Sequence, residues 1–153
     1  MPHLHHVTLM CTDLQQTADF YHQQLGLEVL DKGPFDYPAC FFKINELQEL
    51  HLAEMPDENP SFRGHFCLQV ANFSAVFWRM DELGILETAP WGKIRELPGC
   101  SLQCYVRDPA NNLVELTSLP EERAEIDPAI LTHPLWGGTP YSSGLGDGRK
   151  YLP

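Results

Sequence analysis

The chain has 153 residues, 43% of them hydrophobic and 20% charged, with 10 basic against 21 acidic residues and a net charge of -11. That length suits one globular domain that buries about two-thirds of its unfolded surface, and so acidic a chain with no basic stripe excludes nucleic acid and anionic membranes as expected partners. Cys11, Cys40, Cys67, Cys100 and Cys104 are odd in number and include no C-x-x-C pair, which predicts reduced thiols. With no charged-then-apolar leader and no apolar run of about 18 residues, the expected location is the cytoplasm.

In chain order, Leu4 to Cys11 alternates as a strand, with His6, Thr8 and Met10 on one face and Val7, Leu9 and Cys11 on the other. Asp13 is a helix N-cap, Leu14, Ala18, Tyr21 and Leu25 recur at helical spacing, and Gly26 stops the helix. Strands follow at Leu27–Leu30, Cys40–Ile44 and Gln48–Glu54, with a loop at Gly33–Pro38 and a linker at Met55–Pro60. The pattern then repeats. His65–Val70 matches His6–Cys11, Asn72 caps a helix with Phe73, Val76, Phe77, Met80 and Leu83 on one face, and strands are expected at Ile85–Thr88, Ser101–Arg107 and Leu113–Ser118. A loop is expected at Pro90–Pro98 and a turn at Asp108–Asn112. The closing Leu25-Gly26 and Leu83-Gly84 pairs lie 19 and 18 residues beyond His6 and His65, the mark of an internal duplication. The expected fold class is α+β, built as two βαβββ modules over about 4–54 and 63–118 within one domain, 1–119. From Pro120 a Pro- and Gly-rich extension, 120–153, is expected to be irregular and to pack on the body or on a second subunit, which allows a homodimer. Its Gly144–Gly148 stretch has no preceding strand and reads as a flexible tail.

The duplication makes His6 and His65 equivalent, and makes His51 or Glu49 the counterpart of Glu115 on the last strand of each module. The His6–His51 and His65–Glu115 intervals are 45 and 50 residues. If the modules pair about a pseudo-two-fold axis, these side chains converge. Neutral imidazoles with a carboxylate suit Zn, Ni, Fe or Mn. Thr8 shares the His6 face, Gln103 and Tyr105 take the inward parity on their strand, and Lys43 and Arg107 are the strand-borne cations available to a substrate pocket. His3, His5, His22 and His133 have no repeat partner and read as solvent-facing.

His6-Val7-Thr8-Leu9, Asp13-Leu14, Phe20-Tyr21 and Leu25-Gly26-Leu27 resemble the opening of the vicinal oxygen chelate superfamily, and Arg107-Asp108-Pro109-Ala110-Asn111-Asn112-Leu113-Val114-Glu115 resembles its closing R-D-P-D-G-N-x-x-E motif. That superfamily includes glyoxalase I, extradiol dioxygenases, fosfomycin-resistance thiol transferases and bleomycin-resistance proteins. The resemblance, over about residues 4–118, implies an eight-stranded, cup-shaped mixed sheet around a divalent metal held by His6, His65, Glu115 and either His51 or Glu49, with His51 favoured. It implies a lyase or isomerase of glyoxalase type in which Glu115 is the base, acting on a small oxygenated metabolite. The alternatives are an extradiol-type dioxygenase, a thiol transferase, or a non-enzymatic drug-binding protein.

Overall fold

A computed structural model describes residues 5–31, 38–55, 65–88, 92–97 and 101–138. The expectations for His3, the Gly33-Pro34 break, the linker from Pro56 onward, Trp91, Cys100 and the Gly144–Gly148 stretch lie outside the described residues.

The first module starts with β1 (His6–Cys11), in which Leu9 and Cys11 are buried while His6 and Thr8 are exposed. Asp13 caps α1 (Leu14–Asp19) by accepting a hydrogen bond from the Gln16 backbone N–H at 2.9 Å. The helix then widens into a π-helical turn, Phe20–Gln24, that buries Phe20 and Tyr21. Gly26, at φ +73°, reverses the chain into β2 (Glu28–Leu30), followed by β3 (Ala39–Lys43) and β4 (Glu49–Glu54). The second module repeats the plan with β5 (Phe66–Val70), α2 (Phe73–Glu82), β6 (Arg95–Glu96), β7 (Leu102–Arg107) and β8 (Leu113–Ser118). The strand orders are β1-β4-β3-β2 and β5-β8-β7-β6, so the duplication seen in sequence is a duplication of topology. In each module the first and last strands are parallel and the remaining pairs antiparallel. The class is α+β as expected, and among the described residues the strands are hydrogen-bonded as two four-stranded sheets.

One core serves both modules. Leu9, Leu50 and Leu52 from the first sheet and Leu68, Val106 and Leu116 from the second join Tyr21, Phe73, Phe77 and Met80 from the helices. Polar atoms also bridge the modules. The Tyr21 hydroxyl donates to Asp108 Oδ2 at 2.9 Å, the Asn112 backbone N–H donates to Asp108 Oδ1 at 2.7 Å, and Asn112 Nδ2 donates to Asp108 Oδ2 at 2.8 Å and to the Met10 carbonyl at 3.4 Å. Asn111 stands at φ +67°, a conformation asparagine tolerates, where the resembled motif has glycine. Arg79 reaches back to the Gln24 carbonyl at 2.8 Å.

Four local expectations change. Ile85–Thr88 forms a single bridge, Leu86 to Val106, flanked by Glu87 N–H to Tyr105 carbonyl and Arg107 N–H to Ile85 carbonyl bonds. The strand next to β7 is completed instead by β6, inside the segment expected to be a loop, because its pairing partners lie on β7 and leave no local periodicity. Asn72 holds the N-cap position at φ +52° without a side-chain cap bond, and its N–H donates to Glu122 Oε1 at 3.0 Å. His133 is packed rather than solvent-facing, edge-on to Phe77 with ring centroids 5.3 Å apart and 3.5 Å from Asp81.

The extension packs on the second module as far as residue 138. It forms 3-10 turns at Pro120–Glu125 and Pro128–Thr132, buries Ile126 and Ile130, and anchors Asp127 to the Trp78 indole N–H at 2.9 Å. Trp136 bridges Ile94 in parallel, so the extension pairs along the outer edge of β6.

Burial, with the Asp108 charge second, holds the Tyr21 hydroxyl well above its ordinary pKa of 10.0. Folded protein therefore keeps a proton that unfolded protein releases above pH 10, so this part of the stability is complete below pH 10 and is lost as pH rises beyond it. Tyr21→Phe leaves the buried Asp108 short of a donor and should cost about 1–3 kcal/mol at neutral pH, while flattening the alkaline loss of stability, as read by urea unfolding from pH 7 to 11. Ile130→Ala should cost about 2–5 kcal/mol in the same assay if the extension is part of the cooperative fold.

Candidate functional site

Strand pleating sends alternate side chains to opposite faces, and the helices claim one face of each sheet. The other face carries the candidate residues in rows set by register. In the first module one row reads His6, Glu49, Lys43, and the next reads Thr8, His51, Phe41. In the second, a row reads Cys67, Glu115, Tyr105. Since β5 pairs Cys67 with Glu115, the position across from His65 is Leu113, two residues before Glu115. His6 faces Glu49, two residues before His51. Register therefore makes His51, not Glu49, the structural counterpart of Glu115.

Each module gathers its own group. In the second, Glu115 Oε2 lies 2.8 Å from His65 Nε2 and accepts from the Tyr105 hydroxyl at 3.0 Å, and Glu115 is only 9% exposed. The His65 ring stands edge-on to Tyr105. In the first, His51 Nε2 is 2.9 Å from Glu49 Oε2, its ring stacks on His6 at 4.3 Å, and Phe41 packs edge-on against it at 4.6 Å. His5, which carried no repeat signal, sits with its Nδ1 2.9 Å from His6 Nδ1. One of these nitrogens must carry the hydrogen and the other accept it, which restrains the His6 ring; with His6 as the donor, its Nε2 lone pair is available to a ligand.

The heads of the two modules share a cavity of about 370 Å³, lined by His5, His6 and Glu49 from one and His65, Phe66 and Cys67 from the other, while His51 and Glu115 lie outside its lining. The imidazoles and carboxylate suit a divalent ion in donor chemistry. They stand as hydrogen-bonded pairs: among the described residues no three His, Cys, Asp or Glu side chains form a group that could hold a metal ion. Of the expected pocket residues, Tyr105 is joined to Glu115, Gln103 lies one row along β7, and Thr8 neighbours His51. The two cations are occupied by acids. Lys43 pairs with Glu46, and Arg107 pairs with Glu87 and lines a separate cavity beside Phe20 and Pro109.

A family model described as Glyoxalase/Bleomycin resistance protein/Dioxygenase superfamily matches residues 3–116. Among solved structures, a lactoylglutathione lyase from Agrobacterium tumefaciens is 27% identical, with 78% of this chain and 95% of that one covered and a TM-score of 0.56. A glyoxalase/dioxygenase from Nostoc punctiforme is 21% identical over 76% and 90%, with a TM-score of 0.62. The fosfomycin resistance protein FosX of Listeria monocytogenes is 20% identical over 78% and 92%, with a TM-score of 0.53. No curated protein matches the chain. No helix among the described residues is long and apolar enough to cross a membrane.

Cys67 reports on the site. Desolvation chiefly, with the Glu115 charge adding to it and the Thr117 hydrogen bond opposing it, pushes its thiol pKa up. Removing the charge in Glu115→Gln should lower that pKa and speed Cys67 alkylation by iodoacetamide severalfold near neutral pH, read by peptide mass spectrometry. An unchanged rate would mean that the Glu115 charge does not act on the thiol.

Proposed function

The chain belongs to the Glyoxalase/Bleomycin resistance protein/Dioxygenase superfamily, and on that footing we propose that it is a divalent-metal-dependent lyase or isomerase of glyoxalase type, acting on a small oxygenated metabolite. The observation that carries this reading is that His6 and His65, the equivalent residues of the duplicated modules, line one cavity while Glu115 is tied to His65. His6, His65, Glu115 and His51 would hold the ion, which could be Zn, Ni, Fe or Mn. When bound, it supplies Lewis-acid polarisation of two neighbouring substrate oxygens.

The chain's own residues do the rest. Glu115 would remove the proton next to a substrate carbonyl and return it to the neighbouring carbon. The Tyr105 hydroxyl and His65 hold one carboxylate oxygen and so fix the direction from which Glu115 approaches. Low exposure of Glu115 keeps water from competing for the proton. The open face of β7 offers Gln103, Tyr105 and Arg107 but no imidazole, which favours proton transfer over the ring-opening dioxygenase reading.

Protein purified without chelator should contain about one divalent ion per chain, and His6→Ala and Glu115→Ala should lose it. Glu115→Gln should reduce deuterium exchange next to the carbonyl of methylglyoxal, tested with and without glutathione, by roughly 10²–10⁴-fold. Sub-stoichiometric metal that is unchanged in both alanine variants would contradict the enzyme reading and favour a metal-independent binder.

A further inference from the structure

The duplication is broken in one row of the open faces. One row beyond His51 the first module presents Met10, Ala53 and Ala39, which offer no side-chain hydrogen bond. The equivalent row of the second module, one beyond Glu115, reads Gln69, Thr117, Gln103 and Arg95 across four paired strands. Paired residues share a face, so these side chains lie on the Glu115 side of the sheet. Arg95 differs from other cations of the chain. Lys43, Arg107 and Arg123 each have an acidic partner, whereas Arg95, among the described residues, makes no ion pair and donates only to the Gly137 carbonyl at 3.3 Å.

The extension builds the seat for that guanidinium. Gly137 pairs beside Arg95 on the edge of β6, and a Cβ there would lie 3.4 Å from Arg95 Cζ and 2.9 Å from Lys93 Cβ. Gly137 lies beyond residues 3–116, so this feature belongs to the chain's own extension rather than to the family-matched segment.

We propose that Arg95, Gln103 and Thr117 recognise a carboxylate, and that the substrate is a small carbonyl compound with a carboxylate at the end away from the reacting carbon. A planar guanidinium suits a carboxylate, and the Gln103 amide and Thr117 hydroxyl add donors beside it. Diagonal neighbours such as Glu115 and Gln103 are roughly 7–8 Å apart, and Arg95 lies one strand further on, so the substrate must be extended rather than compact. The identification of the bound compound as substrate rests on the lyase or isomerase reading; the recognition of the carboxylate does not.

Metal-free protein titrated with 4-oxopentanoate and with its uncharged analogue 4-oxopentanamide, followed by backbone amide shifts, separates the two. The carboxylate should bind roughly tenfold more tightly than the amide. In Arg95→Gln that preference should fall to within about twofold while amide binding stays the same, and Arg95→Lys should keep part of it. Gln103→Leu provides an independent arm and should also weaken carboxylate binding. Equal binding of the two compounds to the wild type, no carboxylate binding at millimolar concentration, or a preference that survives in Arg95→Gln overturns the proposal. Failure of the metal-dependent reading would show in metal content and proton exchange and would leave this comparison intact.

Discussion

The structure depends first on the parallel pairing of the first and last strands in each module. Once β1 lies against β4 and β5 against β8, the pleat decides which side chains share a face. A slip of one residue would send His51 or Glu115 into the helix-covered core and bring Leu50 or Leu116 out. The buried leucines hold the register: Leu50, Leu52 and Leu116 are at most 1% exposed. The chemistry of the open face is thus fixed by apolar contacts on the opposite face.

A second constraint acts between modules. Neither module alone places two imidazole-bearing strand heads on one cavity, so their relative position matters as much as each register. The shared core supplies the non-directional part of that contact. The Tyr21–Asp108–Asn112 network supplies the directional part, since Asn112 reaches the Met10 carbonyl on β1 from the turn that leads into β8. A carboxylate at 3% exposure is costly unless its oxygens are satisfied, and burial duly raises the Asp108 pKa despite the hydrogen bonds that oppose it. The same turn that carries a recognisable motif in sequence is therefore a joint in three dimensions, close to Glu115 in the chain.

The duplicated module, its face pattern and its head histidines were legible because they rest on local periodicity and on a repeated His, Leu and Leu-Gly spacing. The choice between His51 and Glu49 was not legible. Both share one parity, and only the pairing offset between β1 and β4 separates them. β6 escaped for a related reason, since two residues give no period and their partners lie on β7. With β6 went Arg95, whose position on the Glu115 face is visible only through its pairing with Gln103. His5 carried no repeat signal because its role is to touch His6, and His133 became a packed residue because the extension folds back onto α2.

His6 stacks on His51 and His65 pairs with Glu115 as two separate groups, and the proposed function requires them to close on one ion with His51 as the fourth ligand. Anomalous diffraction from crystals of Zn- or Ni-loaded protein tests it most directly. One strong peak is expected, bounded by His6, His51, His65 and Glu115, with Glu49 hydrogen-bonded to His51 rather than to the ion. A peak held by Glu49 in place of His51, or an ion bound away from the His6–His65 cavity, would contradict it.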